Sequence, residues 1–567
     1  MPTSGKSGLP LPASAETQPR RDLMSPGLLH NLDVIEESPI EPIPIHDTDT
    51  VQSDSASETT TTTAADSKDP SLKGDDSKAP SLKGAAVASV NEVEGELDEK
   101  ALANYVVPVL DKGVKNALLQ PSTPWIKFRV WFNPYRMVSL LLLLGIIGLI
   151  GVCEQFFTFV FALNMVGIVV ACTHHFPYAE QHGAALALGN ILAAVFCRNE
   201  FFLRYLFWVI VKLFQKWSPL WVRIFWTAFL QHIGGIHSGC ATSGVAWFIF
   251  IVVRNFQNHV AKDIPKVVLG WGVITVGTAG IAMLAAAPWI RANHHNMFEW
   301  HHRFAGWSTV VFIWIFVCLV DSMNVDGGFT GSGRRLSHAQ EFWFALFITI
   351  GVFLPWTTVR KVPVEITTPS PRVAIVKFQR GIQQGLLGRI SRSAILEYHG
   401  FGIISEGIES GCHYMIAGVQ GDWTRRLVAD QPTHLWTRQM KFAGLPYLCH
   451  LYRRGIAICT GSGIGAVCST CVQLDNWFLI WIGADMEATF GPVLFEMIQR
   501  RMPKERYILF DTKKEGRRPD TMKMLKDIYV AFKAEVVIIT SNPKGNAELM
   551  QGCKENGMHA FGPLWDS

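Results

Sequence analysis

The apolar positions along this chain change character twice. Up to about residue 100 there are almost no aromatic or long apolar runs; from 137 to 356 such runs dominate; beyond Pro363 they shorten to strand length. The long runs lie at 137–153, 183–197, 219–236, 267–289, 303–320 and 341–356, with two shorter ones at 157–172 and 243–253. A membrane-crossing helix needs roughly 17–25 such residues, so the pattern predicts a multi-span α-helical membrane domain over 128–360. Arg129 and Arg136 precede the first run, and Arg360 and Lys361 follow the last. Basic flanks prefer the cytosolic side, which places both ends inside and makes the number of spans even, six or eight.

After Pro363 the texture is that of a soluble α/β unit. Short apolar strands are expected at 373–378, 401–405 and 413–418, then at 455–460, 477–482, 506–510 and 534–540. Helical patterns at 465–474, 487–501, 519–532 and 544–555 separate or follow the last four. Strands alternating with helices indicate a parallel sheet with crossover connections. The first three strands lack such helices. The cytosolic part therefore divides near residue 450, into an antiparallel β domain (363–450) and an α/β domain (451–567).

Composition narrows the class. The 567 residues are 49% hydrophobic and 17% charged, against about 25% charged in an ordinary soluble domain. That excludes a disordered, collagen-like or disulfide-scaffold protein. A net charge of +4 is too mild to imply a nucleic-acid partner, and the eleven cysteines show no zinc spacing, so a reducing compartment is expected. Residues 1–100 hold a threonine block (Thr59–Thr63) and a tandem repeat, Asp66 to Gly74 followed by Asp76 to Gly84. Such a stretch buries too little surface to offset chain entropy and is expected to be a disordered cytosolic tail.

The chemistry concentrates in the cytosolic part. Thr460-Gly461-Ser462-Gly463-Ile464-Gly465 follows an apolar strand and opens a helix. Glycines there allow a tight turn and let backbone amides approach a pyrophosphate at the positive end of the helix. Upstream, Glu397-Tyr-His399-Gly-Phe401-Gly-Ile-Ile-Ser405 and Gly421-Asp422-Trp423-Thr424 lie on successive strand ends. The first is similar to the flavin-binding His-Pro-Phe-Thr-x-x-Ser strand of the ferric-reductase and NADPH-oxidase family, and the second matches that family's Gly-Asp-Trp-Thr. By that resemblance His399, Phe401, Ser405 and Thr424 fall near FAD, and Thr460 to Gly465 cradle the phosphates of NADH or NADPH. Gly400 and Gly402 replace the proline and threonine of the flavin motif. Ala484 stands where oxidases carry an arginine for the 2′-phosphate, leaving Asp485 for a free ribose hydroxyl. Arg500, Arg501, Lys513 and Lys514 are further candidates for phosphate contacts. The C-terminal Gly562-Pro563-Leu-Trp565 is similar to the family's terminal strand, with Trp565 a candidate to stack on the flavin or to pack on the sheet edge. Cys468-Ser-Thr-Cys471, in the helix behind the glycine loop, reads as buried packing.

Histidines mark the apolar region. His232 and His237 flank Ile-Gly-Gly-Ile, and His301 and His302 precede Arg-Phe-Ala-Gly. The segment from His302 resembles the haem-binding helix start of the same family, and Arg198-Asn199 resembles the pair that closes an earlier span. That family sets two ligands thirteen or fourteen residues apart on each of two helices. Counting forward from His302 reaches Ile315 and Phe316, and from His232 reaches Val245 and Ala246, so no second ligand is supplied. A haem-free scaffold is expected; the alternative is one haem b, held by His232 or His237 against His301 or His302.

Residues 128–567 as a whole most resemble fungal integral-membrane flavoproteins of the TmpA/TmpL kind, in the shorter form without an N-terminal adenylating domain. The resemblance implies a ferredoxin-reductase-like module on a ferric-reductase-like membrane domain. The implied protein is a multi-pass oxidoreductase with both termini cytosolic, passing electrons from NAD(P)H to FAD and on to an unknown acceptor. Two other classes are weighed against it: a non-catalytic nucleotide-binding sensor or scaffold, and a single-haem metalloreductase.

Overall fold

The computed structural model describes residues 102–110, 152–261, 264–322 and 333–563. The expected tail over 1–100, most of the first apolar run at 137–153, and Trp565 lie outside these residues.

Among the described residues the longer helices of the apolar region are α1 (Val152–Cys172), α2 (Pro177–Phe196), α3 (Glu200–Phe214), α4 (Leu220–Gln231), α5 (Ile233–Asn258), α6 (Lys266–Ala285), α7 (His295–Asp321) and α8 (Gln340–Phe353), with short helices at Pro288–Asn293 and Gly333–His338. α5 is central, packed on α1, α2 and α6, while α7 lies along α6 and α8 against α2. Its Trp247 is buried, and the indole donates to Asn164 of α1 at 3.0 Å; the same oxygen accepts from Asn190 of α2 at 2.9 Å. This three-way bond satisfies polar groups packed between the three helices. Among the described residues five helices are long and apolar enough to cross a membrane, or six if the bent pair α2–α3 counts as one.

One apolar run folds differently from expectation. The stretches 157–172 and 243–253, expected as short spans or as extensions of their neighbours, lie within the long helices α1 and α5, whereas the run 219–236 is not one helix. It breaks at His232, which ends α4 and begins α5 with a ψ of 9°. α4 is 12 residues long, too short to span, and it packs on the two-sheet module that follows. α3 leaves α2 at 70°. Asn199 makes that corner: its Oδ1 caps α3 at the amide of Phe202 (3.0 Å), and its Nδ2 donates to Gly351 O in α8 (2.7 Å).

The module follows directly. Its antiparallel sheet contains β1 (Val359–Pro363), β2 (Glu365–Ser370), β3 (Val373–Phe378), β4 (Leu386–Ser391), β5 (His399–Ile404), β6 (His413–Gly418), β7 (His434–Arg438) and β8 (Phe442–Ala443). Their order is β1-β7-β4-β5-β6-β3-β2, with β8 beside β4. Helix α9 (Asp422–Asp430) follows β6. The second sheet holds β9 (Gly455–Thr460), β10 (Trp477–Gly483), β11 (Tyr507–Asp511), β12 (Val536–Thr540) and β13 (Ala560–Phe561), all parallel in the order β11-β10-β9-β12-β13. Helices α10 (Ile464–Gln473), α11 (Pro492–Arg501), α12 (Thr521–Ala531) and α13 (Pro543–Glu555) connect them. β9, β10 and β12 are buried almost throughout, which explains their near-continuous apolar sequences. A curled antiparallel sheet followed by such a doubly wound sheet is a ferredoxin-reductase-like arrangement.

Residues 102–110 form a strap across the second sheet's outer helix. Asp520 N donates to Pro108 O (2.8 Å), Leu110 N donates to Arg518 O (3.0 Å), and Tyr105 OH donates to Asp527 (3.0 Å). Leu102 is buried in the core formed by α12, α13 and that face of the sheet.

Candidate nucleotide-binding crevice

The strand order fixes where a ligand site can form. The chain runs from β9 outward through β10 and β11, then returns to β12 on the other side. The switch point therefore lies between β9 and β12, and open α/β sheets bind ligands at the carboxyl ends of the strands there. Register puts Cys459 of β9 opposite Thr540 of β12. Both strands then end in small polar residues, and the Thr460 and Ser541 hydroxyls are 2.7 Å apart.

Thr460 to Gly465 fill this position. Gly461 has a φ of +52° with open space at its Cβ position, and its carbonyl accepts from the Trp481 indole at 3.0 Å. Trp481 is fully buried, so the turn is anchored from below. At Gly463 a Cβ would lie 2.4 Å from Thr540 O, so any larger residue would force β12 and the loop apart. Ile464 is buried and starts α10, while Ser462 lies against Gly418 at the end of β6. The loop thus faces the antiparallel sheet across a narrow gap.

That gap closes completely at one point. A Cβ at Gly402 would lie 2.2 Å from Gly465 O and 2.6 Å from Ala466 Cα, so α10 rests directly on β5. The glycine that replaces the threonine of the flavin motif is therefore a packing requirement, and a threonine would not fit beneath this helix. The contact continues down α10. Ser469 Oγ donates to Ile403 O (2.6 Å) and accepts from Ser405 N (2.8 Å), and Gln473 Nε2 donates to Ser405 O (2.7 Å).

The flavin-motif residues divide into two groups. His399 and Phe401 pack on Trp423, with ring centroids 4.5 and 5.8 Å apart. His399 Nε2 and Trp423 Nε1 are buried and, among the described residues, have no hydrogen-bond partner, the Glu397 carboxylate standing 3.5 Å from the imidazole without hydrogen-bond geometry. Two orphaned ring nitrogens side by side fit a polar ligand that would satisfy both. The hydroxyls of Ser405 and Thr424, expected near FAD, are engaged within the fold. Ser405 Oγ accepts from Ile382 N (3.0 Å) and donates into the turn at Gly407 (3.1 Å). Thr424 Oγ1 accepts from Gln420 N and Gly421 N, both at 3.2 Å, closing the start of α9 on itself.

The residues expected at the ribose end form ion pairs. Asp485 is paired with Lys513, and Lys514 with Glu487. Arg500 and Arg501 both bind Glu406 in the loop after β5, tying α11 to the other lobe. Asp511, which sequence reasoning missed, collects the amides of Asp485 (2.9 Å), Met486 (2.7 Å), Lys513 (2.9 Å) and Lys514 (3.2 Å). Partial burial would raise its carboxyl, but these four donors outweigh it and hold the group below the ordinary range. A lone aspartate at a strand end carries no motif, so only the folded loop exposes its role. Cys468 and Cys471 are fully buried, and burial pushes both thiols up, Cys468 to about 12.

The four histidines weighed as haem ligands bond through Nδ1 to backbone carbonyls. His232 reaches Ala228 O (2.7 Å) and His301 reaches Met297 O (2.8 Å) within the preceding turn. His237 reaches Ala194 O in α2 (2.8 Å), and His302 reaches Ala282 O in α6 (2.9 Å), so these two join neighbouring helices. Among the described residues no group of three or more His, Cys, Asp or Glu side chains is placed to hold a metal ion.

Residues 445–567 match the family described as "Adenylate-forming reductase 03009, C-terminal domain". Two curated proteins of Coprinopsis cinerea (strain Okayama-7) are similar over more of the chain. Adenylate-forming reductase 03009 is 29% identical over 420 residues and adenylate-forming reductase 06235 is 28% identical over 421, each match covering 73% of this chain and 40% of the relative. The chain thus spans 40% of the length of the curated relatives it matches. Similar solved structures include phthalate dioxygenase reductase (10% identity, TM-score 0.30, 37% of this chain and 69% of that one). Another is ferredoxin-NADP+ reductase from Plasmodium falciparum (11% identity, TM-score 0.29, 36% of this chain and 97% of that one). The motifs pointed to ferric reductases, NADPH oxidases and TmpA/TmpL proteins; the two Coprinopsis relatives are instead adenylate-forming reductases.

Proposed function

We propose that this chain is a membrane-embedded, NAD(P)H-dependent flavin oxidoreductase, multi-pass with both termini cytosolic, that delivers electrons to an acceptor of unknown identity. The observation that carries the reading is the glycine loop at the switch point of the parallel sheet, facing the end of β6 and followed by a helix that rests on β5, the strand that carries His399 and Phe401. The relatives' names, both reductases, support the same reaction class. The five apolar helices and their exposed apolar faces support the membrane part.

The residues divide the work. The backbone from Thr460 to Gly465 and the hydroxyls of Thr460, Ser462 and Ser541 would bind the nicotinamide dinucleotide, with phosphate charge against the start of α10. Phe401 and Trp423 would offer aromatic surface to FAD, and the orphaned nitrogens of His399 and Trp423 would hydrogen-bond its polar edge. When bound, the flavin would accept a hydride from the reduced nicotinamide and pass electrons onward. Packing of α10 on β5 would hold the two binding surfaces in fixed orientation. Ser405 and Thr424 would serve that frame rather than touch the cofactor.

A second reading rests on a specific observation. The hydroxyls of Ser405 and Thr424 are consumed internally and Gly402 is sealed under α10, which favours a nucleotide-binding sensor without turnover. One experiment separates the two: absorbance of the detergent-purified chain before and after adding NADH or NADPH. An oxidoreductase carries a flavin band near 450 nm that bleaches on addition. A chain that binds nucleotide but holds no flavin would favour the sensor, and a chain that binds neither would overturn both.

A further inference from the structure

The α3–α4 hairpin has two apolar faces, and the module occupies one of them. Phe207, Ile210 and Val211 of α3, with Leu230 of α4, are buried in the core that also contains residues of both sheets. The other face is open. On α3 it presents Phe202, Tyr205, Trp208 and Leu213, in the turn Trp217, and on α4 Trp221 and Phe225. The spacings 202-205-208 and 221-225 place each set on one side of its helix. Tyr205, Trp217 and Trp221 are 64, 70 and 72% exposed, although large aromatic side chains are otherwise taken into cores.

What covers this face follows from its neighbours. α3 turns 70° from α2, with which it has the apolar length of a span only when the two are taken together, so with α2 upright α3 runs close to the membrane plane. Phe229 of α4 packs edge-on against Phe156 of α1, a candidate span in its own right, at 5.7 Å. The open face is therefore continuous with surface that the membrane would cover. Its chemistry is that of an interface, since Trp and Tyr concentrate at the headgroup level, and Lys212 and Lys216, both exposed, stand beside the aromatic set.

We infer that the α3–α4 hairpin lies in the cytosolic headgroup layer of the bilayer, with Tyr205, Trp208, Trp217, Trp221 and Phe225 inserted into lipid and the reductase module clamped on its opposite face. This rests on the membrane reading above and adds to it a surface of contact. It makes α3 an interfacial helix and not the second half of a broken span. The hairpin's inner face holds the segment joining the two sheets: Arg204 Nη1 donates to Lys441 O (3.2 Å), Arg223 Nη1 to Leu451 O (3.3 Å), and Arg453 Nε to Lys216 O (3.3 Å). Lipid contact and module position are thereby joined in one element.

The test uses the unaltered chain in nanodiscs of mixed neutral and anionic phospholipid. Two sets of discs carry photoreactive lipid, with the diazirine either next to the glycerol or at the acyl-chain terminus, and adducts are mapped by mass spectrometry. The expected result is labelling of the 202–225 peptides several-fold stronger from the glycerol-proximal probe, with α1 around Leu163 labelled from the chain terminus and the strap around Val106 by neither. Labelling at Leu163 with none at 202–225 overturns the hairpin assignment and leaves the membrane reading intact. Stronger labelling of 202–225 from the chain terminus overturns it in favour of a broken span. Absence of adducts at Leu163 overturns the membrane reading itself, and this inference with it.

Discussion

His413 shows how much one buried side chain carries. It is 3% exposed, its ring stacks on Phe378 at 4.7 Å, and Nδ1 bonds Arg380 O at 2.5 Å, while Nε2 has no partner among the described residues. Burial lowers its pKa from 6.5 to about 4; the bond to the carbonyl works the other way and is outweighed. The sign of the consequence is fixed by linkage. Below pH 6.5 the unfolded chain takes up the proton first, so stability should fall as pH drops from 6.5 to about 4 and then level off for this group. Urea unfolding followed by Trp fluorescence across that range should show the slope, and His413→Gln should flatten it. An unchanged slope in the variant would assign the acid sensitivity elsewhere. Gly402 makes the complementary point, because a missing side chain decides how closely two lobes approach. In sequence it stood out as a glycine in place of the flavin motif's threonine; in the fold it is what allows α10 to sit on β5.

At the scale of elements, periodicity predicted strands and helices well where each element has one kind of environment. β3, β6, β9, β10 and β12 occur within a residue or two of their expected ranges, because strands buried in a sheet read as unbroken apolar runs. The run at 219–236 misled for the opposite reason. α4 is apolar toward the module and apolar outward, so its hydropathy equals that of a span, and nothing in composition marks the break at His232. Nor does composition reveal that Arg223 inside this run is 2% exposed and bidentate to Glu535, at 2.6 and 3.0 Å. Glu535 also accepts from Arg453 N (2.7 Å), and Thr227 bonds Tyr452 OH (2.8 Å) a turn further along. Removing Arg223 leaves the part-buried Glu535 carboxylate without its counterpart, at a cost below the roughly 3–5 kcal/mol of a fully buried pair. Arg223→Ala is therefore expected to loosen α4 from the module. Hydrogen exchange should rise in Leu220–Gln231 and in the Leu445–Tyr452 turn, while β9 and β10 stay protected. Unchanged protection in α4 would show that apolar packing alone holds the hairpin.

For the whole molecule, the boundary between apolar helices and reductase module is not where the sequence changes texture. Residues from 359 onward look self-sufficient, with two sheets and their own helices. Yet α3 packs on β8 and on the Leu445–Leu451 turn, and α4 packs on the same turn, which is the connection between the sheets. Glu200 at the start of α3 is buried between Arg438 (2.7 Å) and Arg389 (2.5 Å), and Arg438 is held between the rings of Trp356 and Tyr398. Cutting the chain before β1 would strip Phe207, Ile210, Val211 and Leu230 from a shared core. Each such side chain contributes about 1.5–3 kcal/mol when fully buried, so the four together come to about 6–12 kcal/mol. That is comparable to the whole stability of a typical domain, about 5–15 kcal/mol. It also leaves Arg438 and Arg389 without their carboxylate. Residues 359–567 expressed alone are thus expected to be aggregated or to unfold without cooperativity. The same residues preceded by 199–231 on a flexible linker, with the outward aromatics Tyr205, Trp208, Trp217 and Trp221 changed to serine, should be monomeric and melt in one transition. Calorimetry and light scattering distinguish the two. A cooperative transition in the shorter form would show that the hairpin is a passenger on the module rather than part of its core.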